Sequence, residues 1–106
     1  MKLTKKIIEL IEKETSCSIS EWHDKKGYSI YVDNTCGEDY QVEINKGKDE
    51  IEDIIRACEG FDSEEHFRLW FGANNGEPSN ARTLLDNCEE IGEHLTELAT
   101  LLRGLK

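Results

Sequence analysis

Leu3, Ile7, Leu10 and Ile11 recur at helical spacing through residues 2–15, with Lys and Glu at most positions between them. The chain is therefore expected to open with an amphipathic helix. From Ser16 the period becomes two. Cys17 and Ile19 alternate with serines, Tyr28, Ile30 and Val32 with Ser29, Tyr31 and Asp33, and Tyr40, Val42 and Ile44 with acids and amides. Each run reads as a half-buried strand. The breaks Asp24-Lys25-Lys26-Gly27 and Asn34-Thr35-Cys36-Gly37 are short and contain glycine, as hairpin loops require. A three-stranded antiparallel meander is the predicted result.

After Asn45-Lys46-Gly47 the period returns to 3.6, with Ile51, Ile54, Ile55 and Cys58 on one stripe. Asp49 is placed to cap that helix, and Gly60 to end it as a C′ residue. Asp62-Ser63-Glu64-Glu65 reads as a capping box opening a short helix, whose Phe67, Trp70 and Phe71 share a face expected to enter the core; the alternative is that, with Phe61, they form a partner-binding anchor cluster. Gly72 to Ser79 has loop composition, and Ser79 or Asn80, after the single proline, is placed to cap the last helix. There Leu84, Cys88, Ile91, Leu95, Leu98 and Leu102 advance by alternating steps of four and three, a seam of about three heptads. A helix of roughly 23 residues would be about 35 Å long. The seam either packs across the meander and the other helices or, with Gly92 and Ala99 allowing close approach, joins two copies. The fold class is α+β in the order αβββααα, a single domain over residues 1–106.

The chain has 106 residues, 37% of them hydrophobic, enough for a thin core without disulfide or metal staples. Its net charge of −10 opposes the basic footprint that binding to phosphates demands, so direct nucleic-acid binding is disfavoured. No apolar run approaches the ~18–20 residues of a membrane span, and MKLTKKIIELIEKE lacks an unbroken secretory h-region. The expectation is a cytoplasmic protein with no membrane contact. The charge is unevenly placed. Residues 1–48 hold eight Lys against nine acids, whereas residues 49–106 hold four Arg and Lys106 against fourteen acids. A field of this kind steers basic partners.

Catalytic and metal motifs are missing from the sequence. Cys17, Cys36, Cys58 and Cys88 form no C-x-x-C pair, and His23, His66 and His94 form no H-x-x-x-H. Cys58 and Cys88 fall on apolar stripes as small core residues. Cys36, beside Gly37 in a hairpin loop, is the candidate exposed thiol. Asp62 with His66, and Glu90 with His94, are ordinary i,i+4 helix pairs. There is no P-loop, Rossmann glycine pattern or nucleophile elbow. A protein without enzymatic activity, metal or cofactor is expected, with four reduced thiols. Trp22 and Tyr31 are expected on the sheet face opposite Ile19, Ile30 and Val32, where a partner could bind.

The last helix carries the strongest functional signal. Asp86, Glu90, Glu93 and Glu97 repeat the steps of the apolar seam, offset by two residues or roughly 200°. They are expected to form an acidic ridge facing away from the core. Neighbouring like charges each destabilise a helix by a few tenths of a kcal/mol, and no Lys or Arg occurs in residues 83–102. The ridge is either a solvated, solubilising face or a mimic of a phosphate backbone that enters a basic groove. Glu89 beside it and Asp33 at the end of the second strand join the candidate partner-binding set.

Tyr28-Ser29-Ile30-Tyr31-Val32-Asp33-Asn34, then Gly37-Glu38-Asp39-Tyr40-Gln41-Val42, then the helix of Ile51, Ile54 and Ile55, taken with the element order and acidity, resemble the small phage-carried inhibitors of type II-A CRISPR nucleases. The resemblance covers residues 1–60. It implies that the hairpin turn, here Gly37, Glu38 and Asp39, and acidic helix surfaces occupy the cleft of a Cas9-type nuclease that reads the PAM duplex. Such clefts present arginines to DNA, which makes carboxylates apt competitors. Phe61 to Trp70, Gly76-x-Pro78 and Arg82-x-Leu84-Leu85-Asp86 are similar to a module of small phage and mobile-element proteins of Gram-positive bacteria. The leading expectation is a monomeric or homodimeric inhibitor that blocks the basic groove of such a nuclease. The alternative is a phage adaptor that dimerises through Leu84–Leu102 and binds a host protein.

Overall fold

The structure, a computed structural model, describes residues 1–34, 40–73 and 78–106. Cys36, Gly37, Glu38 and Asp39, on which four of the expectations fall, lie outside the described residues. In chain order the elements are α1 (Lys5–Glu14), β1 (Cys17–Glu21), β2 (Gly27–Val32), β3 (Tyr40–Asn45), α2 (Glu50–Glu59), α3 (Ser63–Ala73) and α4 (Pro78–Gly104). The expected α+β order is the observed one.

The three strands form an antiparallel sheet in the order β1-β2-β3. Register sets Cys17 opposite Val32 and Val32 opposite Tyr40, then Ile19, Ile30 and Val42 in a second row. These rows share one face because side chains alternate along a strand. That face meets α1, α2 and α4, and Ile30, Val32, Ile44, Ile51, Ile54, Ile55, Ile91, Leu95 and Leu98 form the buried core with Ile11. On the opposite face Ser20, Tyr31, Gln41 and Glu43 are exposed, as expected of Tyr31. Trp22 follows β1 and folds back over that face, donating from Nε1 to Ser29 Oγ at 2.9 Å.

Side-chain caps mark the helix starts. Thr4 Oγ1 accepts from Ile7 N–H at 3.2 Å, Asp49 Oδ1 from Glu52 N–H at 3.2 Å, and Asp62 Oδ1 from Glu64 and Glu65 N–H at 3.0 and 3.2 Å. The ends and the last start depart from expectation. Gly60 closes α2 in a right-handed conformation (φ −80°, ψ −8°), so the left-handed C′ role assigned to it is not used. Its N–H instead donates to the Arg56 carbonyl at 2.9 Å, continuing the helical ladder. Pro78 opens α4, which places Ser79 and Asn80 inside the helix rather than at its cap. Proline suits a first helical position because its missing N–H would have no partner there.

The seam of α4 is consumed inside one chain. Leu84, Cys88, Ile91, Leu95, Leu98 and Leu102 are all buried, so the dimer expected as the alternative finds no free seam. The aromatic helix α3 also differs from expectation. None of its residues is fully buried, and although Trp70 packs on the core, Phe67 and Phe71 are half-buried and stack on each other with centroids 5.6 Å apart. The reason is placement: α3 lies along α4, outside the layer between helices and sheet.

Candidate partner-binding surface

The sites for charge on α4 follow from which arc of the helix is buried. Leu84, Asn87, Cys88, Ile91, Leu95, Leu98, Ala99 and Leu102 face inward. Asp86, Glu89, Glu93 and Glu97 are exposed on the remaining arc. Asp86 is met by Arg82 Nε at 3.3 Å, one turn earlier. Among the described residues, no ion pair is made by Glu89, Glu93 or Glu97.

Glu90 departs from the expected ridge. It is half-buried, and its Oε1 lies 3.4 Å from His94 Nε2, the i,i+4 pair read from the sequence. Its position lies between the outward line and the buried flank marked by Asn87, so the packing that covers Asn87 also shields it. The remaining candidates point to different neighbourhoods. The charges of Glu97 and Asp33 both bear on the buried Cys17 thiol, which places these two acids on the β1 side of the molecule. Glu89 and Glu93 lie on the other side, toward α2 and α3.

Here the structure assembles a site that sequence periodicity did not show. A groove of about 620 Å³ runs between α4, the end of α2 and the start of α3. Cys58, Phe61 and Gly92 form its apolar part, Ser63 and Thr96 supply hydroxyls, and Glu59, Glu89 and Glu93 supply carboxylates. The Phe61 ring packs against Gly92, 3.5 Å from where a Cβ would stand, an ordinary contact distance. Glu59 is gripped by Arg103, whose Nη2 reaches both carboxylate oxygens at 2.6 Å while Nε lies 3.2 Å from one of them. The fork geometry of that pair is the one in which guanidinium and carboxylate fit best.

Phe61 also borders a smaller concavity of about 160 Å³, lined with Tyr40, His66 and Leu69 and edged by the acids Asp62 and Glu65. Tyr40 meets Phe61 and His66 edge-on, each at 5.2 Å, and His66 packs against Trp70 at 4.0 Å. Burial pushes the His66 imidazole below the ordinary histidine value of 6.5, and its buried Nε2 has no hydrogen-bond partner among the described residues. Leu69 is 65% exposed, the most open large apolar side chain among the described residues. Glu59, Asp62, Glu65 and Tyr40 were not candidates from sequence, and Phe61 was one only within the aromatic cluster with Phe67, Trp70 and Phe71. The available signal was the Gly60-Phe61-Asp62 step, an aromatic residue between a helix end and a capping acid.

Two other features bear on chemistry. Cys17, Cys58 and Cys88 are buried, and burial pushes the Cys17 thiol up to about 11 and the Cys58 thiol up to about 12. Both remain protonated at neutral pH and are poor nucleophiles. Among the described residues, no three His, Cys, Asp or Glu side chains are grouped as a metal site requires, and no helix is long and apolar enough to cross a membrane.

No family model matches this chain, and neither a curated protein nor a solved structure matches it. The reading of its function therefore rests on the residues and their placement.

Proposed function

We propose that this chain is a non-catalytic acidic protein that occupies a basic, DNA-binding groove of a bacterial nuclease, a Cas9-type effector being the one suggested by the residues of the hairpin and β2. The observation that supports the reading is the exposure of Glu89, Glu93 and Glu97 on one helix with no cation paired to them among the described residues. Three uncompensated carboxylates on a rigid helix cost little in water and attract a surface built to hold phosphates. A groove lined with cations that hold phosphates also attracts spaced carboxylates on a helix, without a nucleic acid. The protein would bind in the cytoplasm of the bacterial host and would need no cofactor.

A cleavage assay tests this. Type II-A effectors loaded with guide are mixed with a molar excess of the protein before target DNA is added, and cleavage is expected to fall in at least one orthologue. Glu93→Lys with Glu97→Lys is expected to abolish the inhibition while circular dichroism stays unchanged, since both positions are exposed. Full cleavage by every orthologue at large excess would refute the reading.

A further inference from the structure

The α2–α3 corner differs from the rest of the acidic surface in having depth. The groove between α4, α2 and α3 is open enough, at about 620 Å³, to admit a long side chain, and its lining is both apolar and acidic. The Phe61 ring, packed against Gly92, supplies apolar surface, and Glu89 and Glu93 supply carboxylates. An aliphatic stem ending in a positive group matches that combination. Lysine and arginine both have such stems, and both bury them while keeping the charge at the surface.

Arginine fits better for two reasons visible here. Its planar guanidinium stacks on an aromatic face and pairs in fork geometry with a carboxylate, whereas an ammonium is a strongly hydrated point charge. One carboxylate of the groove's lining, Glu59, already makes such a pairing with Arg103 from within the chain. On the far side of Phe61 the second concavity presents Tyr40, His66 and the exposed Leu69 under Asp62 and Glu65, which extends the aromatic and acidic character beyond the groove.

We propose that the groove at the α2–α3 corner, with Phe61, Glu89 and Glu93 in its lining, is the anchor that receives an arginine side chain of the basic partner. This anchor presupposes a basic partner, as proposed above, and names the group by which the partner is held. Anchors of this type carry much of an interface's binding energy because they are central, desolvated and aromatic.

The test uses the intact ¹⁵N-labelled protein titrated with Ac-Gly-Arg-Gly-Arg-Gly-amide, and with the same peptide carrying lysine or citrulline in place of arginine. Amide shifts are expected at Phe61, Ser63, Gly92, Glu93 and Thr96, strongest with arginine and absent with uncharged citrulline. Glu89→Gln with Glu93→Gln is expected to weaken arginine-peptide binding at least about tenfold, as loss of close charge pairs does. Glu14→Gln with Asp53→Asn removes the same charge from exposed positions elsewhere and is expected to leave binding within about twofold. Equal weakening by both pairs, or shifts spread evenly over the acidic surface, would overturn the anchor. So would nuclease inhibition that survives Glu89→Gln with Glu93→Gln, even though the wider reading would then stand. Localised arginine binding in a protein that inhibits no nuclease would uphold the anchor and refute the partner.

Discussion

Gly27 begins β2 where two other groups already fill the space a side chain would need. A Cβ there would stand 2.4 Å from the Ile44 carbonyl oxygen and 2.7 Å from the Trp22 ring. Neither is the free end of a flexible chain: one is backbone of the neighbouring strand, the other an indole held by its bond to Ser29. Gly27→Ala is therefore expected to destabilise the fold by about 2–3 kcal/mol in urea unfolding, the range of an overpacked core. Asn87 is the opposite case, a fully buried side chain whose Oδ1 and Nδ2 find no hydrogen-bond partner among the described residues. An unpaired buried polar group costs about 1–3 kcal/mol, and leucine has the same branched outline without polar atoms. Asn87→Leu is expected to raise stability by about 1 kcal/mol, measured the same way. Neither behaviour can be read from the residue types, since glycine in a hairpin and asparagine in a helix are both ordinary until their neighbours are known.

Among the elements, α3 is the one least held by the core. Its cap at Asp62 was legible because capping is a local geometry spanning four residues. Its burial was not, because the i, i+3, i+4 spacing of Phe67, Trp70 and Phe71 says that they share a face and nothing about what that face meets. His66 gives the element a pH dependence. Burial among Tyr40, Phe61 and Trp70 holds its imidazole below 6.5, so as pH falls the unfolded chain takes up a proton before the folded one does. The stability from neutral His66 is complete above about pH 6.5 and is lost as pH drops toward the lowered value. Urea melts at pH 7.5, 6.5 and 5.5 are expected to show this fall, and His66→Phe is expected to flatten it. The long helix α4 was more legible along its seam than at its start. That seam carried the helical period far enough that the buried face was unambiguous.

For the molecule as a whole, α4 sets the shape. At about 1.5 Å per residue its 27 residues span about 40 Å, close to the longest dimension of 43 Å. The radius of gyration, 14.6 Å, exceeds the roughly 13 Å typical of a chain this long, as expected when one helix with α3 alongside it outreaches the sheet. Asp86, Glu89, Glu93 and Glu97 are all exposed on this one helix, so part of the net charge of −10 is gathered along the long axis of the molecule. That exposed acidic arc is what the proposed competition with DNA would use, and the Glu93→Lys with Glu97→Lys variant probes it directly.

The order of elements, the strand alternation, the caps at Asp49 and Asp62 and the inward face of α4 were all encoded within a few residues of each position, because hydrophobic period and capping are short-range properties. Where the acids went was decided in three dimensions. One helical row of Asp86, Glu90, Glu93 and Glu97 was expected, yet packing withdrew Glu90 toward His94 and aimed Glu97 with Asp33 at the β1 side. It then set Glu89 and Glu93 across from Glu59 and Phe61. These partners lie about thirty residues away along the chain, and only the docking of α2 and α3 against α4 brings them within reach.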